Sequence, residues 1–104
     1  MPKSDTIEKI RTDTKDVFKP EEPAKYDVIF LNDDITPMEF VIRVLKQIFN
    51  KTQDEAVQIT KYVHENGKGV AGTYIFEVAE QKGIETTLAA RQENFPLQVK
   101  VKKQ

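Results

Sequence analysis

The stretch LNDDITPMEF, residues 31–40, sets Asn32, Asp33 and Asp34 in a row between an apolar run and a helix start. Amide carbonyls and carboxylates are hydrogen-bond acceptors. A protonated amine offers three N–H donors, and each charge-assisted bond to such acceptors is worth roughly 1.5–3 kcal/mol. His64, the one histidine, adds a third acceptor while its imidazole is neutral, and acid would remove it. A plainer reading makes one of the three polar residues a helix cap and the others solvated loop side chains. It makes His64 a surface residue at a helix end, where positive charge is favoured. Two features weigh against this for the cluster. Thr36 and Glu39 already stand at capping-box spacing, and the cluster leaves a strongly apolar strand, which keeps it beside the core. A divalent metal ion is the competing use of Asp33, Asp34 and His64. The spacing fits no calcium loop, because the Gly and the terminal bidentate Glu are missing at the required offsets.

Other chemistries find little footing. No G-x-S-x-G, H-E-x-x-H or P-loop pattern occurs, and the single serine, Ser4, stands near the N-terminus. With no cysteine there is no disulfide, thiolate metal site or cysteine nucleophile, which fits a reducing compartment. A net charge of −1 creates no field favouring nucleic acid or acidic membrane, and no basic-aromatic RNA-binding strand is present. MPKSDTIEKI lacks an apolar signal segment, and no run approaches the ~18 apolar residues of a membrane span. The expectation is a cytoplasmic protein without cofactor or metal, bound to neither nucleic acid nor membrane.

The elements that must position these residues follow from patterning. The 104 residues, 32% charged and 38% hydrophobic, are enough for one domain with a modest core. Residues 1–24 carry many charges, three of the five prolines and few large apolar side chains. They are expected to form a flexible extension, leaving 25–104 as the folded core. YDVIFL, residues 26–31, reads as a strand. Thr36, Pro37 and Glu39 then open a helix running to about Phe49. Met38, Val41, Ile42, Leu45, Ile48 and Phe49 lie at helical spacing on its apolar face, and Glu39 and Arg43 stand i,i+4 on its wet side. Thr52 and Glu55 make a second capping box, and Asn66-Gly67 ends that helix. Alternation from Val70 to Ala79 predicts a strand, broken at Gly83. A third helix is expected from Ile84 to about Asn94, burying Ile84, Leu88 and Ala89, and ending before Pro96. LQVKVKK, residues 97–103, predicts a last strand with a lysine-guarded edge. The order β-α-α-β-α-β describes an α+β domain, a small sheet with helices packed on it.

Met38 and Val41, in the first turn beside the polar cluster, are placed to line a pocket mouth. A polar rim that holds an amine, joined to an apolar hole, would read a free amino terminus followed by a large side chain. Burying a Leu or Phe side chain contributes about 1.5–3 kcal/mol. With two or three amine bonds, and the cost of association subtracted, this is compatible with low-micromolar affinity.

At these residues the sequence resembles a known family. VIFLNDDITPMEFVIRVLKQIF, VHENGKGVAGTYIFEVAE and ENFPLQVKV, in that order, are similar to ClpS, the adaptor of the bacterial Clp proteases. The likeness covers about residues 25–102. It implies a three-stranded antiparallel sheet carrying three helices, behind a flexible arm needed for delivery. It implies a monomeric, non-enzymatic adaptor that binds substrates with N-terminal Leu, Phe, Tyr or Trp and hands them to an AAA+ Clp unfoldase of the ClpA or ClpC type. By position, Asn32, Asp34 and His64 would bind the α-amino group, with Asp33 helping at the rim. Thr36, Met38, Val41, Thr60, Val63 and Leu97 would line the side-chain pocket, with Met38 disfavouring β-branched N-termini. Glu77 and Lys82 would contact the N-terminal domain of the unfoldase. Thr60 stands where the family commonly has methionine, and Ile35 where an aromatic is frequent. The alternative on the same fold is a Clp-docking modulator whose N-terminal-residue pocket is altered or lost.

Overall fold

The computed structural model describes residues 23–104. The expected flexible extension, apart from Pro23 and Ala24, lies outside the described residues. The elements are β1 (Lys25–Leu31), α1 (Met38–Gln47), α2 (Gln53–Asn66), β2 (Lys68–Ile75), α3 (Phe76–Gln92) and β3 (Gln98–Lys103). The strands form one antiparallel sheet in the order β2-β1-β3. This is the expected α+β architecture with the expected element order. Among the described residues, no helix is long and apolar enough to cross a membrane.

β1 is central, and its alternation is sharp: Val28 and Phe30 are fully buried. Phe30 meets Phe49 edge to face at 5.4 Å, the offset geometry that aromatic quadrupoles favour. A bulge between Val28 and Ile29 on the β2 side adds local twist just before the strand delivers Asn32.

α1 begins differently from its sequence signal. Pro37 is its N-cap, with no side-chain cap bond, so the expected box between Thr36 and Glu39 does not form. Pro37 has no N–H to leave unsatisfied, and Thr36 is engaged upstream by Asp33. The buried face includes Phe40 and Val44 as well as Val41 and Leu45. Arg43 turns to Glu93 and to the face of Phe40, not to Glu39. The second box does form: Thr52 N–H donates to Glu55 Oε1 at 2.9 Å, and Glu55 N–H donates to Thr52 Oγ1 at 3.2 Å. α2 ends where Gly67 adopts φ 86°, a left-handed conformation glycine takes without strain.

The main correction concerns residues 70–94. β2 stops at Ile75, and a 17-residue helix starts at Phe76 and runs through Gly83. Ala79, Gly83, Thr86 and Ala90 recur at helical spacing, and all four are buried. This face of small residues lets α3 lie close to the sheet. A Cβ at Gly83 would meet Val101 at 3.5 Å and Val99 at 3.6 Å, ordinary van der Waals contacts. An alanine would therefore fit at Gly83, and the ~1 kcal/mol that glycine costs inside a helix is not demanded by the packing. With that face inward, Ile84 and Leu88, expected in the core, are 49% and 59% exposed.

Candidate functional site

Two backbone bonds bring the opening cluster to His64. Gly67 N–H closes α2 on the carbonyl of Val63 at 2.9 Å, and Asn32 N–H donates to the carbonyl of Gly67 at 2.8 Å. The residue that leaves β1 is thereby fastened to the residue that ends α2, one turn beyond His64. A long-range strand and a local helix stop together build the rim.

Asp33 and Asp34 divide the work. Asp33 Oδ1 accepts N–H bonds from Ile35 at 2.8 Å and Thr36 at 2.6 Å, and its Oδ2 accepts the Thr36 hydroxyl at 2.8 Å. Its oxygens hold the 33–36 turn that leads into α1. Asp34 is exposed and takes no part in those bonds. Burial pushes the Asp33 carboxyl up, but the bonds from Thr36 and Ile35 and the charge of Arg91 outweigh it and hold the group below its ordinary 3.8. A depressed carboxyl stabilises the fold above the unfolded-state value and loses that contribution as pH falls through the folded one. Asp33→Ala is therefore expected to cost about 1 kcal/mol at pH 7, the scale of a partly solvated cap. The gap between variant and parent should narrow as pH falls through 3.8 and below. Urea unfolding at pH 7 and pH 3 checks this, and a gap equal at both pH values would rule it out.

Asn32, Asp33, Asp34, Thr36, Met38, Val41, Thr60, Val63 and His64 line one hollow of about 180 Å³. Its rim is exposed at Asn32, Asp34, Met38 and His64. Its floor is buried: Val41 is 7% exposed, Thr60 4% and Val63 4%. Nine of the ten positions expected to bind an amino group or a side chain therefore share this hollow. The tenth, Leu97, is not on its wall. It is buried in the core, 2% exposed, and Arg91 donates to its carbonyl at 2.9 Å. A larger groove of about 260 Å³ runs between α3 and β3. Its lining is mostly apolar, with Glu80 its one ionisable group, so it lacks the convergent acceptors of the smaller hollow. Among the described residues, no three His, Asp or Glu side chains gather to share a metal ion, so the metal alternative at Asp33, Asp34 and His64 gains no geometric support.

The two positions expected to face an unfoldase lie elsewhere. Glu77 is exposed in the first turn of α3. Lys82 is half-buried. Its ammonium donates to the Ile48 carbonyl at 2.6 Å and lies 5.2 Å from the centre of the Tyr74 ring and 5.8 Å from that of Phe49. It therefore joins α3 to the C-terminal end of α1. Sequence reasoning missed Gly67 and Arg91 as parts of the site's frame. Asn66-Gly67 was legible as a helix stop, but not as the partner of Asn32.

A small α+β domain with an acceptor-rimmed hollow over a buried, largely apolar floor has the make-up of a peptide-binding module. Comparison with known proteins makes the class specific. The profile of the family described as "ATP-dependent Clp protease adaptor protein ClpS" matches residues 21–100. The chain is 48% identical over 85 residues to the ClpS adapter protein of Phenylobacterium zucineum, covering 82% of this chain and 78% of that one. It is 49% identical over 82 residues to that of Treponema denticola, covering 79% and 81%. Its structure is similar to that of Agrobacterium tumefaciens ClpS2 bound to L-phenylalaninamide, with TM-score 0.77 and 34% identity, over 80% of this chain and 100% of that one. The chain belongs to the ClpS family of Clp protease adaptors.

Proposed function

We propose that this adaptor binds proteins through a free N-terminal residue with a large hydrophobic side chain, Leu, Phe, Tyr or Trp. It then delivers them to the N-terminal domain of an AAA+ Clp unfoldase of the ClpA or ClpC type. It is a cytoplasmic monomer, not an enzyme, and needs no metal or cofactor. The reading rests on one observation: Asn32, Asp34 and His64, all acceptor-bearing and exposed, line the same hollow as the buried Val41, Thr60 and Val63. The α-ammonium sits among those acceptors, and the side chain enters past Met38. The phenylalaninamide held by ClpS2 supports this, since it carries a free α-amine and a large apolar side chain. Asp33 serves the rim through the turn it holds. Leu97 is buried in the same core cluster as Val41 and Val63. Residues 1–24 act as the extension required for delivery, attached to a core of 25–104.

The test is anisotropy of dye-labelled peptides that differ only at residue one, with an N-acetylated Phe peptide as control. Tight binding of the large unbranched side chains, lost on acetylation, is expected. Binding that ignores acetylation would sink the reading and favour a Clp-docking modulator with an altered pocket.

Glu77 and Lys82 form the proposed unfoldase contact. Lys82 also fastens α3 to α1, so its removal mixes docking with stability. Glu77→Lys is the cleaner probe, because it reverses an exposed charge. It should weaken binding to the isolated unfoldase N-terminal domain by roughly tenfold, the scale of a charge juxtaposition of 1–2 kcal/mol, and leave peptide affinity unchanged. Undiminished domain binding would remove Glu77 from the interface.

A further inference from the structure

The floor of the hollow includes one hydroxyl residue, Thr60. Thr60 is 4% exposed and stands beside Val41 and Val63 in the lining. Its hydroxyl donates to the Ala56 carbonyl at 2.7 Å. A hydroxyl has one proton and two lone pairs, so toward the hollow Thr60 has only acceptor capacity. The other hydroxyl in the lining, that of Thr36, has likewise committed its proton, to Asp33 Oδ2. Neither hydroxyl can donate to a guest.

The position of Thr60 also matters. Thr60 and His64 are four residues apart on α2 and so lie on one helical face, about 6 Å apart along the axis. If the guest's amino group is held at the level of His64, the far end of its side chain falls toward the level of Thr60. A phenylalanine ring there brings no donor to the Thr60 oxygen. A tyrosine presents an O–H donor at the far end of the same ring.

We propose that Thr60 is a specificity-determining residue whose hydroxyl oxygen accepts a hydrogen bond from the bound side chain, selecting N-terminal tyrosine over phenylalanine. This rests on the reading of the hollow as a site for N-terminal residues and gives it a chemical ranking. The same oxygen gives leucine no advantage, since leucine too has no donor.

Two peptides that differ only in N-terminal Tyr or Phe, each also in N-acetylated form, are titrated against the full chain and against Thr60→Val and Thr60→Ser. Valine keeps the shape of threonine and removes the oxygen, whereas serine keeps the oxygen. The parent should favour Tyr over Phe, and Thr60→Val should lower the Tyr/Phe affinity ratio by roughly three- to tenfold, the range of one net hydrogen bond. Thr60→Ser should keep that ratio. If both peptides bind through their free amines but Thr60→Val leaves the ratio unchanged, the acceptor role is overturned and the wider reading stands. If acetylation changes nothing in any variant, the reading and the inference fall together.

Discussion

Replacing Asn32 and Asp34 together by alanine is expected to lower affinity for an N-terminal Phe or Leu peptide by at least about a hundredfold. Each charge-assisted bond to the α-ammonium is worth roughly 1.5–3 kcal/mol, and two are lost; solvent at the exposed rim places the effect toward the lower end. The fold should survive. Asn32 is held through its backbone N–H on the Gly67 carbonyl, a bond that alanine retains. Asp34 is exposed and outside the network that holds the turn. Calorimetric titration with the free and acetylated peptides, beside a thermal melt, measures both quantities. Affinity within a few fold of the parent would mean that the amine is bound elsewhere. Lost affinity with a collapsed melt would mean that the rim also carries the fold. The asymmetry between the acids gives an internal control: Asp33→Ala should act mainly on stability, and Asp34→Ala mainly on binding.

That division was not visible in the sequence. Asn32, Asp33 and Asp34 announce a site by type and place, but three adjacent residues look alike until a turn assigns one of them to its own backbone. The same turn removed Thr36 from the cap that its spacing with Glu39 advertised. Spacing marks an option, and here the competing option, a carboxylate three residues earlier, takes both the N–H and the hydroxyl. The Thr52–Glu55 box has no such competitor and forms as expected. Elements with strong local signals were legible: β1, α1, α2 with its glycine stop, and β3. The start of α3 was not. Residues 70–79 alternate well enough to pass for a strand, and only the inward face of Ala79, Gly83, Thr86 and Ala90 shows that the chain has changed period. Small residues are weak markers in a hydrophobic pattern, because they bury little area even when packed most closely. That is why Ile84 and Leu88 were expected inside in their place. The hollow drew on β1, α1 and α2, so the late error in α3 did not disturb it.

The frame beneath the site should be far less tolerant than its rim. Phe30→Ala is expected to destabilise the domain by about 3–5 kcal/mol. Phe30 is fully buried, stacks edge to face on Phe49, and pairs in register with Val99 on one side and Gly69 on the other. Phe49 in turn packs near Tyr74 and beneath the Lys82 ammonium, so a cavity at Phe30 loosens the contact between sheet, α1 and α3 together. A domain of this length has roughly 4–12 kcal/mol of stability in total, and the loss should lower Tm by well over ~10 °C. Leu31 and Asn32 follow directly, so the rim is only as well placed as β1 is held. Peptide binding should therefore fall in step with the folded fraction and recover on moderate cooling or at low urea. In the Asn32 and Asp34 variant it should not recover under any condition that keeps the chain folded. Circular dichroism and anisotropy, followed on the same samples across temperature, separate the two. Coincident curves for Phe30→Ala, beside a folded but unbinding rim variant, would locate recognition in the acceptors and its geometry in the core. A Phe30→Ala protein that melts like the parent would mean that the sheet does not depend on this aromatic cluster.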